Sequence, residues 1–208
     1  MSFPLIRPVA PADIPVIAEI SRNTWDGEDY LLSVAESWMA DGGFMAGEID
    51  GTVFGCYKIT LMPGGVAWLE GLRVLPSFRG RGLGRILAED SFAKAAALKR
   101  NGLVESVEFE TYSHNVESIA IAVSRGFEPV EKFSLLFRSA AAGSGPDDRR
   151  PAVLCAEDLA PYDLLVPLGW KVIHRTPGVV EDVAAGSEAF ESGGFRFFSR
   201  PGDGLFTL

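Results

Sequence analysis

The stretch LPSFRGRGLGRILAED, residues 75–90, decides how the rest of the chain is read. Its seven positions 79–85 hold three arginines and three glycines. Upstream, GVAWLEGLRV at 65–74 alternates as a strand does. Downstream, Leu83, Ile86, Leu87, Phe92 and Ala95 or Ala96 form a 3.6-period stripe that continues to about Arg100. A strand that feeds a glycine turn opening a helix is an anion site, because the first helical amides have no intrahelical acceptor and the macrodipole adds positive charge. No carboxylate lies between Glu70 and Glu89, whereas Arg73, Arg79, Arg81 and Arg85 do, in a chain of net charge −9.

The kind of anion follows by exclusion. A GxGxxG fingerprint needs glycine at 85 or 87, where Arg85 and Leu87 stand, and no GxxxxGK[ST] loop occurs. The pattern present is Arg-x-x-Gly-x-Gly, Arg79 to Gly84, directly after the run Leu72-x-Val74-x-Pro76. This resembles the acetyl-CoA loop of the GNAT acyltransferase superfamily. The resemblance extends over residues 3–138: the opening IRP with Asp13-Ile14, the β-meander, the loop, then Asn115 and Gly126-Phe127 at the family's spacing.

The resemblance implies an α+β fold with a mixed, mostly antiparallel central sheet flanked by helices, and acetyl-CoA as cosubstrate. It implies that the amides around Arg79, Gly80, Arg81, Gly82, Leu83, Gly84 and Arg85 hold the pyrophosphate. Leu72 and Val74 would offer backbone groups to the pantetheine and acetyl oxygen, and Asn115 a hydrogen bond to the cofactor arm. The cofactor would lie where the strand of Leu72 splays from the strand after the long helix.

Composition is consistent with a packed protein: 208 residues, 47% of them hydrophobic. The longest uncharged stretch is roughly a dozen residues against the ~20 of a membrane-spanning helix, and the N-terminus lacks a signal layout, so a cytoplasmic protein is expected. The acidity argues against nucleic acid or anionic membrane as partner and favours cationic ligands. Cys56 and Cys155 show no metal-ligand spacing, so neither a zinc site nor a disulfide framework is expected.

Along the chain the order β-α-α-β-β-β-α-β-α-β is expected. Asp41-Gly42-Gly43 ends the second helix, Asp50-Gly51 turns a hairpin, and residues 127–138 supply one or two last strands. The organisation expected is a GNAT-like domain over 1–139, a linker over 140–150 and a small C-terminal α/β unit over 151–208. That unit echoes the helix, Gly-Gly-Phe and Asp-Gly hairpin that follow residue 34, as a partial repeat would.

The chemistry asks for a base. An amine of pKa ~10.4 is only about one part in a thousand neutral near pH 7.4, a deficit of roughly 4 kcal/mol. Glu70 is the candidate, two residues before Leu72, and alternation puts Glu70, Leu72 and Val74 on one face. Pairing of Glu70 with Arg73 or another cation is the plainer alternative. Many family members place a tyrosine acid seven residues after the asparagine; here that position is Ala122, with Tyr112, His114 or Ser118 as substitutes or a thiolate that leaves unassisted. For the acceptor, the loop WDGEDY offers Asp26, Glu28 and Asp29 to a cationic amine, on a small molecule or peptide, and Trp25 and Tyr30 as aromatic surface. A solvated acidic turn is the alternative. The functional expectation is an N-acetyltransferase, alone or as a homodimer. The competing expectation is an acyl-CoA-binding or regulatory module that lost turnover, motivated by Ala122.

Overall fold

A computed structural model describes residues 3–27, 29–133, 150–159, 165–168, 170–192, 195–200 and 204–207. The chain divides into two compact units, Met1–Gly126 and Phe127–Leu208. In the first, β1 (Leu5–Pro8), α1 (Ile14–Arg22), α2 (Leu31–Asp41), β2 (Phe44–Ile49), β3 (Thr52–Met62), β4 (Val66–Val74), α3 (Leu83–Arg100), β5 (Ser106–Glu108) and α4 (Val116–Val123) follow one another. The sheet runs β1-β2-β3-β4-β5, antiparallel except for the parallel pair β4 and β5. This is the mixed α+β architecture expected.

Local chemistry explains the elements. Gly42 and Gly43, both at positive φ, stop α2, and a Cβ at Gly43 would lie 2.4 Å from the Ile59 carbonyl oxygen. Asp50 and Gly51, at φ 50° and 75°, make the two-residue β2–β3 turn that the sequence signalled. The opening motif is an ion-pair knot: Arg7 bonds Asp13 and Glu48, each at 2.7 Å, tying β1 to the start of α1 and to β2. Asp13 also accepts the Ala10 amide, and the Arg7 guanidinium is the first cause holding its carboxyl below the usual range.

One face of the sheet carries α1 and α2 over Ile17, Ile20, Leu31, Ala35, Trp38, Phe44 and Cys56. The other carries α3, which buries Leu83, Leu87, Ala88, Ser91 and Ala95, while Ile86 of the expected stripe faces outward. Leu87 reaches the sheet because the cross-strand partners Gly47 and Gly55 have no side chains; a Cβ at either would meet it at 2.9 Å. Beside it Tyr57 donates to Asp90, and Lys94 bonds both the Tyr57 oxygen (3.0 Å) and Asp90 (2.6 Å).

The irregularity that matters most is in β4. Cys56 pairs with Arg73 but Lys58 pairs with Glu70, so β4 holds one extra residue at Gly71, whose φ is 69°. The Cys56 thiol donates to the Gly71 carbonyl at 3.7 Å, and burial pushes that thiol's pKa up to about 12. The bulge breaks the expected alternation. Glu70 and Arg73 share the α1/α2 face, and Val74 pairs with Gly55 on the opposite one, so Glu70, Leu72 and Val74 do not line up.

The second unit contains β6 (Arg150–Ala152), β7 (Leu165–Leu168), β8 (Lys171–His174), α5 (Pro177–Ala185), β9 (Glu188–Ser192), β10 (Phe195–Arg200) and β11 (Gly204–Thr207). Strands β11-β10-β9-β6 form one antiparallel sheet, and β7 and β8 form a separate pair. Of the echo of the first unit, the antiparallel hairpin is present as β10 and β11, whereas the residues directly before the glycine pair differ: helical before Gly42, strand β9 before Gly193. Residues 127–133 of the expected last strands carry no strand; 134–138, with nearly all of the linker, lie outside the described residues.

Gly71 and Gly51 have similar φ but different surroundings: a Cβ at Gly71 meets the Trp38 ring at 2.5 Å, and one at Gly51 meets nothing within 4 Å. Gly51→Ala should cost about 1 kcal/mol and Gly71→Ala about 2–4 kcal/mol. Urea unfolding followed by tryptophan fluorescence checks this; equal losses would mean that the Trp38 contact contributes nothing.

Candidate active site

The site is built around a divergence. β4 and β5 are paired only at Val66↔Ser106, Ala67↔Val107 and Trp68↔Glu108. Beyond Trp68 the edge of β4 facing β5 has no strand ladder. Glu70, Leu72 and Val74 lie along that opened edge, and the chain then enters the arginine-glycine loop.

In the loop, Gly80 and Gly82 adopt φ of 74° and 76°, and a Cβ on either meets nothing within 4 Å. Gly82 caps α3. The first bonds of that helix run from the Arg85 and Ile86 amides to the Gly82 carbonyl, so the amides of Leu83 and Gly84 precede them and remain for a ligand. Arg85, expected to offer its amide, uses it inside the helix.

The arginine side chains are already employed. Arg79 bonds the Val74 carbonyl at 3.0 Å and the Asn23 carbonyl at 3.3 Å. Arg81 lies over the Phe78 ring at 5.3 Å, and Arg85 pairs with Glu89 at 2.9 Å. Arg125, just past α4, bonds the same Glu89, and these two hydrogen bonds hold the Glu89 pKa below the ordinary range. Arg73 bonds the Leu72 carbonyl at 3.0 Å. The carbonyls of Leu72 and Val74 that the resemblance offers to the cofactor therefore both have arginine partners here.

Asn115 caps α4, accepting from the Ser118 amide at 3.3 Å and donating to Thr111 at 3.2 Å. Gly126, at φ 83°, follows the helix end. The two halves of the expected asparagine and glycine pattern thus begin and end one helix. Ala122 is buried in that helix, while the Tyr112 and His114 rings lie in the loop before it with centroids 5.1 Å apart and planes inclined at 59°.

Glu70 is half-buried and accepts from the Thr60 hydroxyl. Arg73, which sequence offered as its partner, pairs with Asp29 through two 3.3 Å contacts and lies 4.5 Å from the Trp25 ring centroid. This brings the WDGEDY loop to β4, but not in the expected way. Asp29 is buried and committed to Arg73, and is thereby removed from the groups open to a cationic acceptor. Tyr30 packs edge-on against Trp38, and burial is the first cause that pushes its pKa up to about 12, with Arg73, Glu70 and Asp29 all within electrostatic reach. Trp25 and Asp26 remain exposed, and Glu28 lies outside the described residues.

Two features escaped the sequence reading. The Gly71 bulge had a signal, a glycine inside a strand pattern. Glu110 did not: it follows β5, its Oε2 is buried, and that oxygen has no hydrogen-bond partner among the described residues. Desolvation raises its pKa.

Comparison with known proteins fits this geometry. The family model described as acetyltransferase (GNAT) matches residues 15–127, more than half of the chain. The chain belongs to the GNAT acetyltransferase family. An aminoglycoside N(6')-acetyltransferase type 1 of Stenotrophomonas maltophilia is 29% identical over 142 residues, which is 63% of this chain and 90% of that protein. A histidine N-acetyltransferase of Xenopus tropicalis is 42% identical over 74 residues, 34% of this chain; the match spans only 23% of that relative's length. Among solved structures, the aminoglycoside N-acetyltransferase AAC(6')-Iy in complex with CoA superposes with a TM-score of 0.50 at 23% identity, covering 68% of this chain and 97% of that one, a likeness of fold. The family uses acetyl-CoA as cosubstrate, and its named relatives here are N-acetyltransferases.

If the Leu83 and Gly84 amides take the pyrophosphate, Gly82→Val should raise the Kd for acetyl-CoA by about tenfold or more, since positive φ is lost where the backbone must come close. Arg81→Ala should do less. Calorimetry on the folded variants checks the order, and an unchanged Kd in Gly82→Val would remove the loop from the site.

Proposed function

We propose that the protein transfers the acetyl group of acetyl-CoA to a primary amine by direct attack, with Glu70 as general base. The observation that carries this reading is the opening of β4 from β5 beside an acid-free helix N-terminus. Together these form a slot with amide donors at one end and a carboxylate along its wall.

The cofactor enters with its pyrophosphate at Leu83 and Gly84 and its pantetheine arm along Leu72 and Val74. Arg73 and Arg79 then exchange their carbonyl bonds for ligand or solvent. Asn115 keeps a second side-chain N–H beyond the one given to Thr111, and offers it to the arm. The amine approaches from the α1/α2 face, where Glu70 takes its proton directly or through one water. Nitrogen attacks the thioester carbon, the C–S bond breaks, and the thiolate departs. With alanine at 122, a thiol of pKa ~8.5 is a fair leaving group without an acid. Trp25 and Asp26 border the acceptor path; Asp29 and Tyr30 support it by fixing Arg73.

Glu70→Gln retains shape and removes proton acceptance. Turnover should fall by about tenfold or more at neutral pH with cofactor affinity nearly unchanged. The deficit should shrink as pH approaches the amine's own pKa, where more acceptor arrives neutral. Thiol release from acetyl-CoA with a panel of amines measures both. A constant rate ratio across pH 6.5 to 9.5 would assign Glu70 a structural part, and tight cofactor binding without thiol release would favour the regulatory module.

A further inference from the structure

Glu110 follows from the same ladder that defines the opening. In the parallel pair, Trp68 lies beside Glu108. Neighbours in a parallel register point to the same side, and alternation returns to that side two residues on. Alternation from this last pair places Glu70 on the side of Trp68 and Glu110 on the side of Glu108, so the two carboxylates share one face on either side of the opening. Thr60, Glu70 and Arg73 belong to this face, the one covered by α1 and α2.

The carboxylates around this face differ in what they already hold. Glu70 accepts from Thr60, Glu108 from the Ser106 hydroxyl, and Asp29 is paired with Arg73. Glu110 Oε2 is buried and has no donor among the described residues. A buried acceptor without a donor is destabilising, more so when charged, so a ligand that brings a donor recovers that cost. An ammonium group is a donor that also pairs with the carboxylate's charge.

We propose that Glu110 is a specificity residue that receives a second ammonium group of the acceptor, so that the preferred substrate is a diamine or polyamine. This rests on the reading of the β4/β5 opening as the transfer site. One nitrogen is presented to the thioester beside Glu70; the other, roughly 5–8 Å away by strand spacing, stays protonated at Glu110. The burial that raises the Glu110 pKa is relieved when the ammonium binds, because the pair replaces lost hydration.

The test compares n-butylamine with 1,3-diaminopropane and 1,4-diaminobutane. The wild-type protein should show lower KM for the diamines. Glu110→Gln should raise the diamine KM by about tenfold, the worth of one charge-assisted hydrogen bond, while kcat, the n-butylamine KM and acetyl-CoA affinity stay within about twofold. Glu110→Asp should fall between. An equal loss of kcat for mono- and diamines would make Glu110 a proton carrier, weaker acetyl-CoA binding would turn it toward the cofactor, and no change would leave it structural; each overturns the proposal. Should the wild-type protein acetylate none of these amines, the transfer reading fails by itself. Ligand-observed NMR with CoA present then decides about Glu110: diamine-selective binding lost in Glu110→Gln sustains it, and equal or absent binding overturns it.

Discussion

Three registered residue pairs hold β4 to β5, and the rest of the site depends on their number being so small. A longer parallel ladder would satisfy the backbone of β4 through Val74 and leave nothing to exchange with a ligand. The short ladder ends at Trp68, which is buried and anchors the last pair, so the separation begins at a rigid point. From there onward β4 is laddered only to β3, and the Leu72 and Val74 carbonyls are held by the side chains of Arg73 and Arg79.

The bulge at Gly71 acts on the same strand by a different route. It leaves the β3 ladder intact on either side while turning Arg73 onto the face of Glu70. That turn places the guanidinium among Trp25, Tyr30 and Asp29, and so the loop between α1 and α2 is secured to β4 by one side chain. Buried Lys58, opposite Glu70, reaches back to the Gly42 carbonyl at the end of α2. The two strands and the helices above them are therefore joined by polar contacts where an ordinary core would use methyl groups.

The glycine loop, the two-residue hairpin at Asp50-Gly51 and the stop of α2 at Gly42-Gly43 were legible because each is local chemistry, written in a few adjacent residues. The order of elements through α4 followed from periodicity for the same reason. What was not legible depends on pairing between distant segments. Alternation predicted Glu70 and Val74 together, and only the offset between Cys56↔Arg73 and Lys58↔Glu70 shows the extra residue between them. The commitment of Asp29 to Arg73 spans 44 positions, and no window of sequence contains both. Glu110 reads as an ordinary strand carboxylate until the surroundings of its oxygen are known.

The contacts beneath α3 have a consequence for the loop at its start. A helix turns by about 100° per residue, so slippage by one position would swing the Leu83 and Gly84 amides away from the strand edge altogether. Two separate devices prevent this. Tyr57, Asp90 and Lys94 fix the azimuth of the helix, since their bonds form at one rotation only. Gly47 and Gly55 fix its depth by admitting Leu87 against the sheet. Azimuth and depth together act like the elevation and traverse of a mounted instrument: they aim a pair of N–H vectors from a base two turns further along the helix, far enough away that ligand binding need not disturb the mounting.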